Sequence, residues 1–471
     1  MSIFNLARHR PFVIFAACLW AAAGPSFASK AAKRATMQES DAIVLIHEVL
    51  ASLYASSVKS PSLAMLTQAA LAPLSDSYTC FNFKTNEESI ALSCNGQRED
   101  LPYPPRKLKE ASQILRNAII LATRRQPVHT SVLSTIIESM IAAVADPYTA
   151  YIPPEQVDTL QSANKYLAAE TGILLNPNFP TEVRGVDTCS YASLKGIEAG
   201  DQIIRIDGQE TESRSFTELT IALLGADGSM VDVAYHNRSK QLMTTSVRRE
   251  FNARSRVEIE ILPQQIVYVG LSEFSRGVAN EIIEEVWSFK GQGIILDLRG
   301  NSGGFLTEGI SLLDLFFQSG PLGGVRPRPG RPAQDFVAQY SPTDFATPLI
   351  VLIDRGTASS SELVSMVLQD RKRALIMGTA SMGKGSVQKT IALPNEGALK
   401  VTSAVFVGAK NQRLLSNGVQ PDRVLSRLKS RDCNAEFSPK TDPWVIESWE
   451  MLVGKHVGSD QTVKVFGPGI D

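Results

Sequence analysis

Apolar segments of two kinds alternate from Ile266 to Val424, and this alternation constrains the fold more than any other feature of the sequence. Short, nearly continuous apolar runs such as "GIILDLRG" and "PLIVLID" have the length of buried strands. Between them lie segments such as "GISLLDLFF" and "SELVSMVLQD", with apolar residues at three- and four-residue steps. Because strands that alternate with helices form a sheet covered by helices, this stretch predicts an α/β core with buried central strands.

Two further regions precede this core. From Met37 to about Ala168 the periodicity is helical, whereas Glu170–Glu250 has short strands, glycine turns and one amphipathic helix. A length of 471 residues also predicts two to four domains. The sequence therefore predicts a multidomain α+β protein with a helical N-terminal domain at 29–168, a β-rich module at 169–250, the α/β core at 251–430 and a C-terminal extension at 431–471.

The first 28 residues have the composition of a secretory signal. Two arginines precede an apolar run from Pro11 to Ala23. The segment "SFA" then follows, with small residues at its first and third positions, and ends at Ala28. The run is shorter than the roughly 20 apolar residues that a membrane span needs, which disfavours an uncleaved anchor. A lipid-modified Cys18 is a weaker alternative. We expect cleavage after Ala28 and an exported protein, either periplasmic or secreted.

Charge and cysteine content narrow the possible partners. The net charge of -1 gives no electrostatic case for nucleic acid.

Removal of the signal leaves four cysteines in a compartment that permits disulfides, and four cysteines allow three pairings. Cys80 with Cys94 is the preferred pair, since both lie in a polar stretch (about 75–106) that resembles an insertion into the helical domain. Cys189 and Cys433 remain candidates for free buried thiols, and neither spacing predicts a metal site.

Histidine is missing from the sequence of the α/β core, where none of the five histidines falls. A Ser-His-Asp arrangement would therefore need a residue from another domain, and a serine nucleophile there would more readily use lysine as its base. Lys384 lies in "GTASMGKGSVQK" between two glycines, which let the backbone pack closely. A lysine held in a dry pocket has its pKa lowered, which makes it a proton acceptor. An anion-binding loop and an exposed loop lysine are the alternatives.

Three consecutive serines stand in "RGTASSSELVSM", residues 355–366, where a predicted strand meets a predicted helix over Glu362–Asp370. The first amides of a helix are unpaired and lie at the positive end of its dipole, which suits an oxyanion. An N-cap serine explains the same position without catalysis. The turn "ILDLRGNSGGFL" adds Gly303 and Gly304, whose amides no side chain shields. Each of these features is weak when taken alone.

Together they resemble the carboxyl-terminal processing peptidases, also called tail-specific proteases. Matching segments such as "DPYTAYIPPEQ", "LDLRGNSGG" and "GTASSSELV" cover most of the mature chain. The segment "VGAKNQRLLSNGVQPD" departs from the sequence that is usual in the family. The family's Gly-Ser-Ala-Ser-Ala-Ser-Glu-like stretch aligns without gaps with residues 356–362, with Thr357 and Ser360 as departures. The resemblance implies a crotonase-like serine peptidase core. In it Ser359 would be the nucleophile, Lys384 the base and Gln388 the residue that orients the lysine. The oxyanion donors would be the amide of Ser360 and that of either Gly303 or Gly304.

The segment "SLKGIEAGDQIIRIDGQ", Ser193–Gln209, resembles the central signature of PDZ domains. The resemblance extends to "ETGILL", where Gly172, Ile173 and Leu174 would bind a peptide. Amides near Gly172 and Ile173 would cap its terminal carboxylate while the peptide adds a strand to the sheet. A PDZ fold that serves only as a spacer or lid is the alternative.

The resemblance implies a serine endopeptidase that recognises and cleaves proteins near their C-terminus and needs no metal or other cofactor. Its partners would be proteins or peptides with free C-terminal tails. An adaptor protein and a homo-oligomer formed through the helical domain follow by analogy. The rival hypothesis is a non-catalytic PDZ-containing binding or scaffold protein on the same fold, against which the retention of Ser359, Lys384 and Gln388 argues.

Overall fold

The computed structural model describes most of the chain after the proposed signal peptide. Cys189, Cys433 and the signal peptide itself lie outside the described residues. Within those residues, no helix is both long enough and apolar enough to cross a bilayer. The described stretches are 36–157, 169–187, 190–212, 214–250, 257–287, 291–339, 347–426 and 437–454.

The N-terminal unit is made of helices whose apolar faces meet in one core, as the periodicity of this region predicts. In the helix Leu108–Thr123, for example, the buried residues recur at three- and four-residue steps. The unit's elements are β1 (Thr36–Met37), α1 (Glu39–Ser56), α2 (Leu63–Ser77), β2 (Asn82–Thr85), β3 (Ser89–Cys94), β4 (Gln97–Pro102), α3 (Leu108–Thr123), β5 (Val128–His129) and α4 (Thr130–Val144), followed by β6 (Ala150–Ile152).

The cysteine-bearing insertion folds as a three-stranded antiparallel sheet of β2, β3 and β4. A disulfide joins Cys80, just before β2, to Cys94, the last residue of β3. Ile90 and Leu92 alternate with more exposed residues along β3 and are fully buried in the helical core. The insertion therefore contributes side chains to that core.

The β-rich module has a small core of its own. Four antiparallel strands lie in the order β10-β9-β11-β12, and β7 and β8 form a separate pair. Its core also includes Tyr148, which lies between α4 and β6 in the chain. The elements are β7 (Ile173–Leu175), β8 (Val183–Val186), α5 (Tyr191–Leu194), β9 (Gln202–Ile206), β10 (Gln209–Glu210), α6 (Phe216–Leu223), β11 (Met230–His236) and β12 (Leu242–Arg248).

The C-terminal half forms the α/β core that the alternating pattern predicts. Its elements are β13 (Val257–Leu262), a 3-10 turn (Pro263–Gln265), β14 (Ile266–Leu271), α7 (Val278–Trp287), β15 (Gly293–Asp297), α8 (Leu306–Asp314), β16 (Pro321–Pro327), β17 (Gln334–Val337), β18 (Leu349–Ile353), α9 (Ser360–Asp370), β19 (Leu375–Gly378), β20 (Ser386–Ala392), β21 (Ala398–Val407), β22 (Arg423–Val424) and α10 (Pro443–Leu452).

A six-stranded sheet, in the order β13-β14-β15-β18-β19-β22, forms the centre of this core. All neighbouring pairs are parallel except β13 with β14. Every residue of β15 and of β18 is buried, which explains their continuous apolar runs, because a parallel strand is covered on both faces. Parallel strands end at the same edge of a sheet, so the turns that follow β15, β18 and β19 lie side by side.

A second sheet is antiparallel and contains a strand from the N-terminal half of the chain. Its order is β17-β16-β21-β20, and β6 also pairs with β21, with Ala150 opposite Lys400. The predicted boundaries place β6 in the helical domain at 29–168. In the structure it completes a sheet of the C-terminal α/β half, and Leu399 and Val401 of β21 pack in the helical core.

The C-terminal extension packs on the central sheet through α10. A buried ionic network attaches it: Arg299, in the turn after β15, contacts Asp297 and Asp442. Both carboxylates are at most 8% exposed. Asp442 also caps α10 by accepting hydrogen bonds from the amides of Trp444 (3.0 Å) and Val445 (3.1 Å). The helix is thereby fixed to the turn that leads into Gly303 and Gly304.

Candidate active site

Ser359 lies at the junction of β18 and α9. The helix begins at Ser360, two residues before the start predicted at Glu362, and Ser359 is its N-cap residue. Ser359 has φ 57° and ψ -119°, and a non-glycine residue adopts such a sparsely populated conformation at a cost of about 1–3 kcal/mol. Strained strand-to-helix turns of this kind expose a serine hydroxyl at the edge of a sheet. Of the three serines, only Ser359 has a positive φ.

The turn before Ser359 is bound to the turn that follows β15. Asp354 accepts hydrogen bonds from the amides of Gly300 and Gly356, each at 2.9 Å. Thr357 donates its hydroxyl to the carbonyl of Leu298 at 2.7 Å. These bonds hold the serine turn against the glycine turn, and Thr357, one of the two departures from the family pattern, helps to join them.

The glycine turn packs against the serine turn through Gly303, which approaches Ser359, and Gly304, which contacts Ser360. The amide of Gly303 donates to the side chain of Asn301 at 2.9 Å and is therefore occupied. A Cβ at Gly303 would lie 2.7 Å from Cβ of Ser359, so only glycine permits this approach. Within the described residues, the amides of Gly304 and Ser360 have no acceptor. Of the two glycines that the sequence left open, Gly304 is therefore the better candidate for the oxyanion donor.

The hydroxyl of Ser360 donates to the carbonyl of Gly304 at 2.9 Å and so joins the two candidate oxyanion donors. We expect Ser360→Ala, which keeps the amide, to lower kcat by about 2- to 10-fold, because one hydrogen bond contributes about 0.5–1.5 kcal/mol. KM should stay unchanged, since the oxyanion forms only after substrate has bound. Steady-state kinetics of both proteins measure this, and an unchanged kcat would contradict it.

Lys384 lies in the loop between β19 and β20. Glycine is required beside it, because Gly383 has φ +86° and a Cβ there would lie 2.2 Å from the carbonyl oxygen of Ser416. Burial lowers the pKa of Lys384, and the nearby carboxylate of Glu362 partly opposes this shift. The ammonium nitrogen lies 5.8 Å from the ring centroid of Tyr148. Within the described residues, no hydrogen bond joins Nζ of Lys384 to Oγ of Ser359.

Gln388 lies on β20 and donates its side-chain amide to the hydroxyl of Ser386 at 2.7 Å. It pairs across the sheet with Thr402, while Thr390 pairs with Lys400. Because side chains two residues apart share a face of a sheet, Lys400 and Gln388 lie on the same face. Burial, with the neighbouring charge of Lys384, lowers the pKa of Lys400 to about 7. Two lysines of reduced basicity therefore meet at this site.

Glu362 is the residue that the sequence analysis missed. It is fully buried, and its carboxylate accepts hydrogen bonds from the amides of both Ser359 (3.0 Å) and Lys384 (2.8 Å). A glutamate three residues after an N-cap serine is the signature of a capping box, and this spacing could have drawn attention to it. Its contact with the lysine loop joins residues 22 positions apart in the chain and leaves no local pattern.

The β-rich module touches the lysine loop. Arg184 of β8 donates its guanidinium to the carbonyls of Ser381 and Met382. Tyr148, beside the Lys384 ammonium, packs edge-on against Phe216 of α6 at 5.5 Å between ring centroids. The module and the loop that carries Lys384 are thus in direct contact.

The three candidate peptide-binding residues lie elsewhere in the module. Gly172 has φ +79°, and a Cβ there would clash with Ser190, so the position demands glycine. Ile173 and Leu174 belong to β7, which pairs with β8. The amide of Ile173 already donates to the hydroxyl of Thr171 at 3.3 Å. In the described structure, no hydrogen bond links these three residues to Ser359 or Lys384.

Comparison with known proteins places this site in a family. The model of peptidase family S41 matches residues 265–425, which include Ser359, Glu362 and Lys384. The chain belongs to this family of serine peptidases. Among the described residues, no group of three or more histidine, cysteine, aspartate or glutamate side chains could hold a metal ion.

Relatives with assigned names agree with this placement. A carboxyl-terminal-processing protease of Picosynechococcus is 31% identical over 296 residues, which cover 61% of this chain and 71% of that protein. A carboxy-terminal-processing protease of Bartonella bacilliformis is 30% identical over 310 residues, 64% of this chain and 71% of that one. A solved photosystem II D1 C-terminal processing protease matches with a TM-score of 0.60 over 82% of this chain and 93% of its own, at 22% identity, which is a likeness of fold.

Proposed function

We propose that this chain is a serine endopeptidase that cleaves proteins near their C-terminus with a Ser359–Lys384 dyad. The observation that carries the proposal is that the amides of Ser359 and Lys384 donate to the same oxygen atom, Oε2 of Glu362. This shared contact holds the backbones of the two residues side by side at the edge of the parallel sheet. The family supports the reaction class, and the names of the relatives support the C-terminal specificity.

In the proposed reaction, Oγ of Ser359 attacks the scissile carbonyl carbon while the neutral amine of Lys384 accepts the hydroxyl proton. The amides of Ser360 and Gly304 donate hydrogen bonds to the oxygen that becomes negative. When the intermediate collapses, Lys384 returns the proton to the leaving amine, and water then hydrolyses the acyl-enzyme. Gln388 orients the lysine. Nζ of Lys384 must first turn from the Tyr148 ring towards Ser359.

The module would serve this reaction as a PDZ-like domain on a crotonase-like core. Gly172, Ile173 and Leu174 would bind the C-terminal tail of the substrate through backbone amides and an added strand. By analogy, the module would gate the site until a tail arrives, and the contact of Arg184 with the lysine loop gives such a gate a physical connection.

Export and assembly are parts of the same proposal. A signal cleaved after Ala28 would direct the peptidase to the periplasm or the exterior, in keeping with the composition of the first 28 residues. Self-association through the helical unit and dependence on an adaptor are carried over from the resemblance alone. The substrates are proteins or peptides.

Matched peptides test the C-terminal specificity. One peptide has a free C-terminal carboxylate and the other has the same sequence with a C-terminal amide, and cleavage is followed by mass spectrometry. We expect the free acid to be cleaved faster by about tenfold or more, since a carboxylate bonded to backbone amides contributes about 1.5–3 kcal/mol per bond. Equal rates would refute C-terminal recognition, and absence of cleavage of both peptides and of an unfolded protein would refute the peptidase itself.

A further inference from the structure

Glu362 makes more contacts than a helix cap requires. Oε2 accepts hydrogen bonds from the amides of Ser359 (3.0 Å) and Lys384 (2.8 Å). Oε1 accepts them from the hydroxyl of Ser381 and the amide of Gly383, both at 2.5 Å. A capping-box glutamate needs only the first of these four bonds. The other three come from the loop that carries Lys384.

The four donors fill the acceptor positions of Glu362. A carboxylate has about four lone-pair positions, and here each oxygen receives two donors. Burial raises the pKa of the Glu362 carboxyl above its ordinary value, and the four hydrogen bonds oppose this shift without reversing it. The charged or titratable groups that face it are Lys384, Arg184 and Tyr148. The carboxyl group is thus a buried acceptor that joins the serine turn to the loop that carries Lys384.

The strain at Ser359 needs such a partner. A positive φ at a non-glycine residue persists only where surrounding contacts hold it. The amide of Ser359 donates to Glu362, and the same carboxylate accepts hydrogen bonds from the amides of Gly383 and Lys384. If the carboxylate were lost, the serine turn and the lysine loop would each be free to relax, and the distance between their reacting atoms would no longer be fixed.

We propose that Glu362 is a positioning residue that sets the separation of the Ser359 and Lys384 side chains by binding both backbones through one buried carboxylate. This inference rests on the proposed Ser-Lys function. Glu362 itself touches no substrate and transfers no proton.

The variant Glu362→Gln tests the proposal. An amide of the same size offers one acceptor oxygen, so in either orientation its NH₂ group faces two of the four donors, and the bridge between the two turns loses at least half of its hydrogen bonds. We expect kcat on an unfolded protein substrate to fall by about 100-fold or more, because a displacement of about 1 Å costs that much. The control is Ser361→Ala, the adjacent buried position, whose hydroxyl has no partner among the described residues. It should keep the kcat of the wild type.

A titration separates positioning from general damage. The Glu362 carboxylate raises the pKa of Lys384, so its removal should lower that pKa. Carbon-13 NMR of labelled lysine, with the Lys384 signal assigned from Lys384→Met, measures the shift without turnover. In Glu362→Gln we expect the titration to move to lower pH, and in Ser361→Ala we expect it to stay. A merely destabilised fold would return Lys384 towards the higher, solvent-exposed value.

The outcomes are distinct. If Glu362→Gln is folded and keeps both the kcat and the lysine titration of the wild type, the positioning role is refuted. If Glu362→Gln does not fold, Ser381→Ala is the second test, because it removes one donor and leaves the carboxylate. A kcat of Ser381→Ala between that of the wild type and that of an inactive protein supports the proposal. An unchanged kcat of Ser381→Ala overturns it. Failure of the proposed function would appear separately, as a wild type without cleavage or as a Ser359→Ala variant with full activity; the lysine titration would then still decide whether Glu362 acts on Lys384.

Discussion

Ser359→Ala and Lys384→Met should each lower kcat on a protein with a free C-terminus by about 10⁴-fold or more. The first removes the nucleophile, and the second removes the proposed base, whose backbone Glu362 binds together with that of Ser359. Because the two residues act as one unit, the double variant should lose no more than either single variant. Quantitative mass spectrometry of the cleavage products measures all three.

Lys389→Met is the matched control, since Lys389 is an exposed lysine on β20, five positions from Lys384. It should keep the activity of the wild type.

The pH dependence of kcat gives an independent check. The base must be neutral, so kcat rises as pH rises through the pKa of Lys384; burial lowers that pKa, and the midpoint should lie below the ordinary lysine value of about 10.4. Cleavage at an undiminished rate by either active-site variant would contradict the dyad.

Asp442→Ala should destabilise the protein by about 2–4 kcal/mol, because a hydrogen bond to a charged group contributes about 1.5–3 kcal/mol and a helix cap about 1 kcal/mol. It leaves the guanidinium of Arg299 buried with one carboxylate in place of two and removes the cap of α10. Arg299 also stacks 5.3 Å from the Trp444 ring, so loss of α10 would remove that contact as well. Urea unfolding of the full chain measures the change in free energy.

The control for this prediction is an exposed pair. Arg98 and Asp100 form an ion pair with side chains 66% and 52% exposed, and Asp100→Ala should cost less than about 1 kcal/mol. Comparable losses from Asp442→Ala and Asp100→Ala would show that the buried network does not hold the C-terminal helix. Substitution of Arg299 by methionine should be costly too, since it leaves two buried carboxylates facing each other.

The sequence predicts the parts of this protein that depend on local residue patterns or on sequence motifs of the family. Alternating apolar segments predict the α/β core, because burial on both faces of a strand is visible in its composition. The assignment of Ser359 and Lys384 needs the family, since an N-cap serine and a loop lysine are common. The helix start at Ser360 is two residues early relative to the apolar pattern because Ser360 and Ser361, though polar, are buried in the first turn.

What the sequence does not predict are contacts between distant segments. The three loop donors to Glu362 lie 19 to 22 positions away and belong to a turn without regular structure. β6 has only three residues, too few for a periodicity, and its partner strand lies about 250 positions later. Likewise, the β-structure of the insertion is hidden by its polar composition, since only one face of β3 is buried.

The pairing of β6 with β21 also has a consequence for synthesis of the chain. Ribosomes make β6 early, yet its partner emerges only after nearly the whole peptidase half has been translated. Until then, the strand has an unpaired edge, and long-range pairings of this kind slow folding because a large loop must close first. The same order delays the lysine loop and β20, so a nascent chain that already contains Ser359 has no base for it. Proteolytic activity is therefore expected only after the chain has been made through β21.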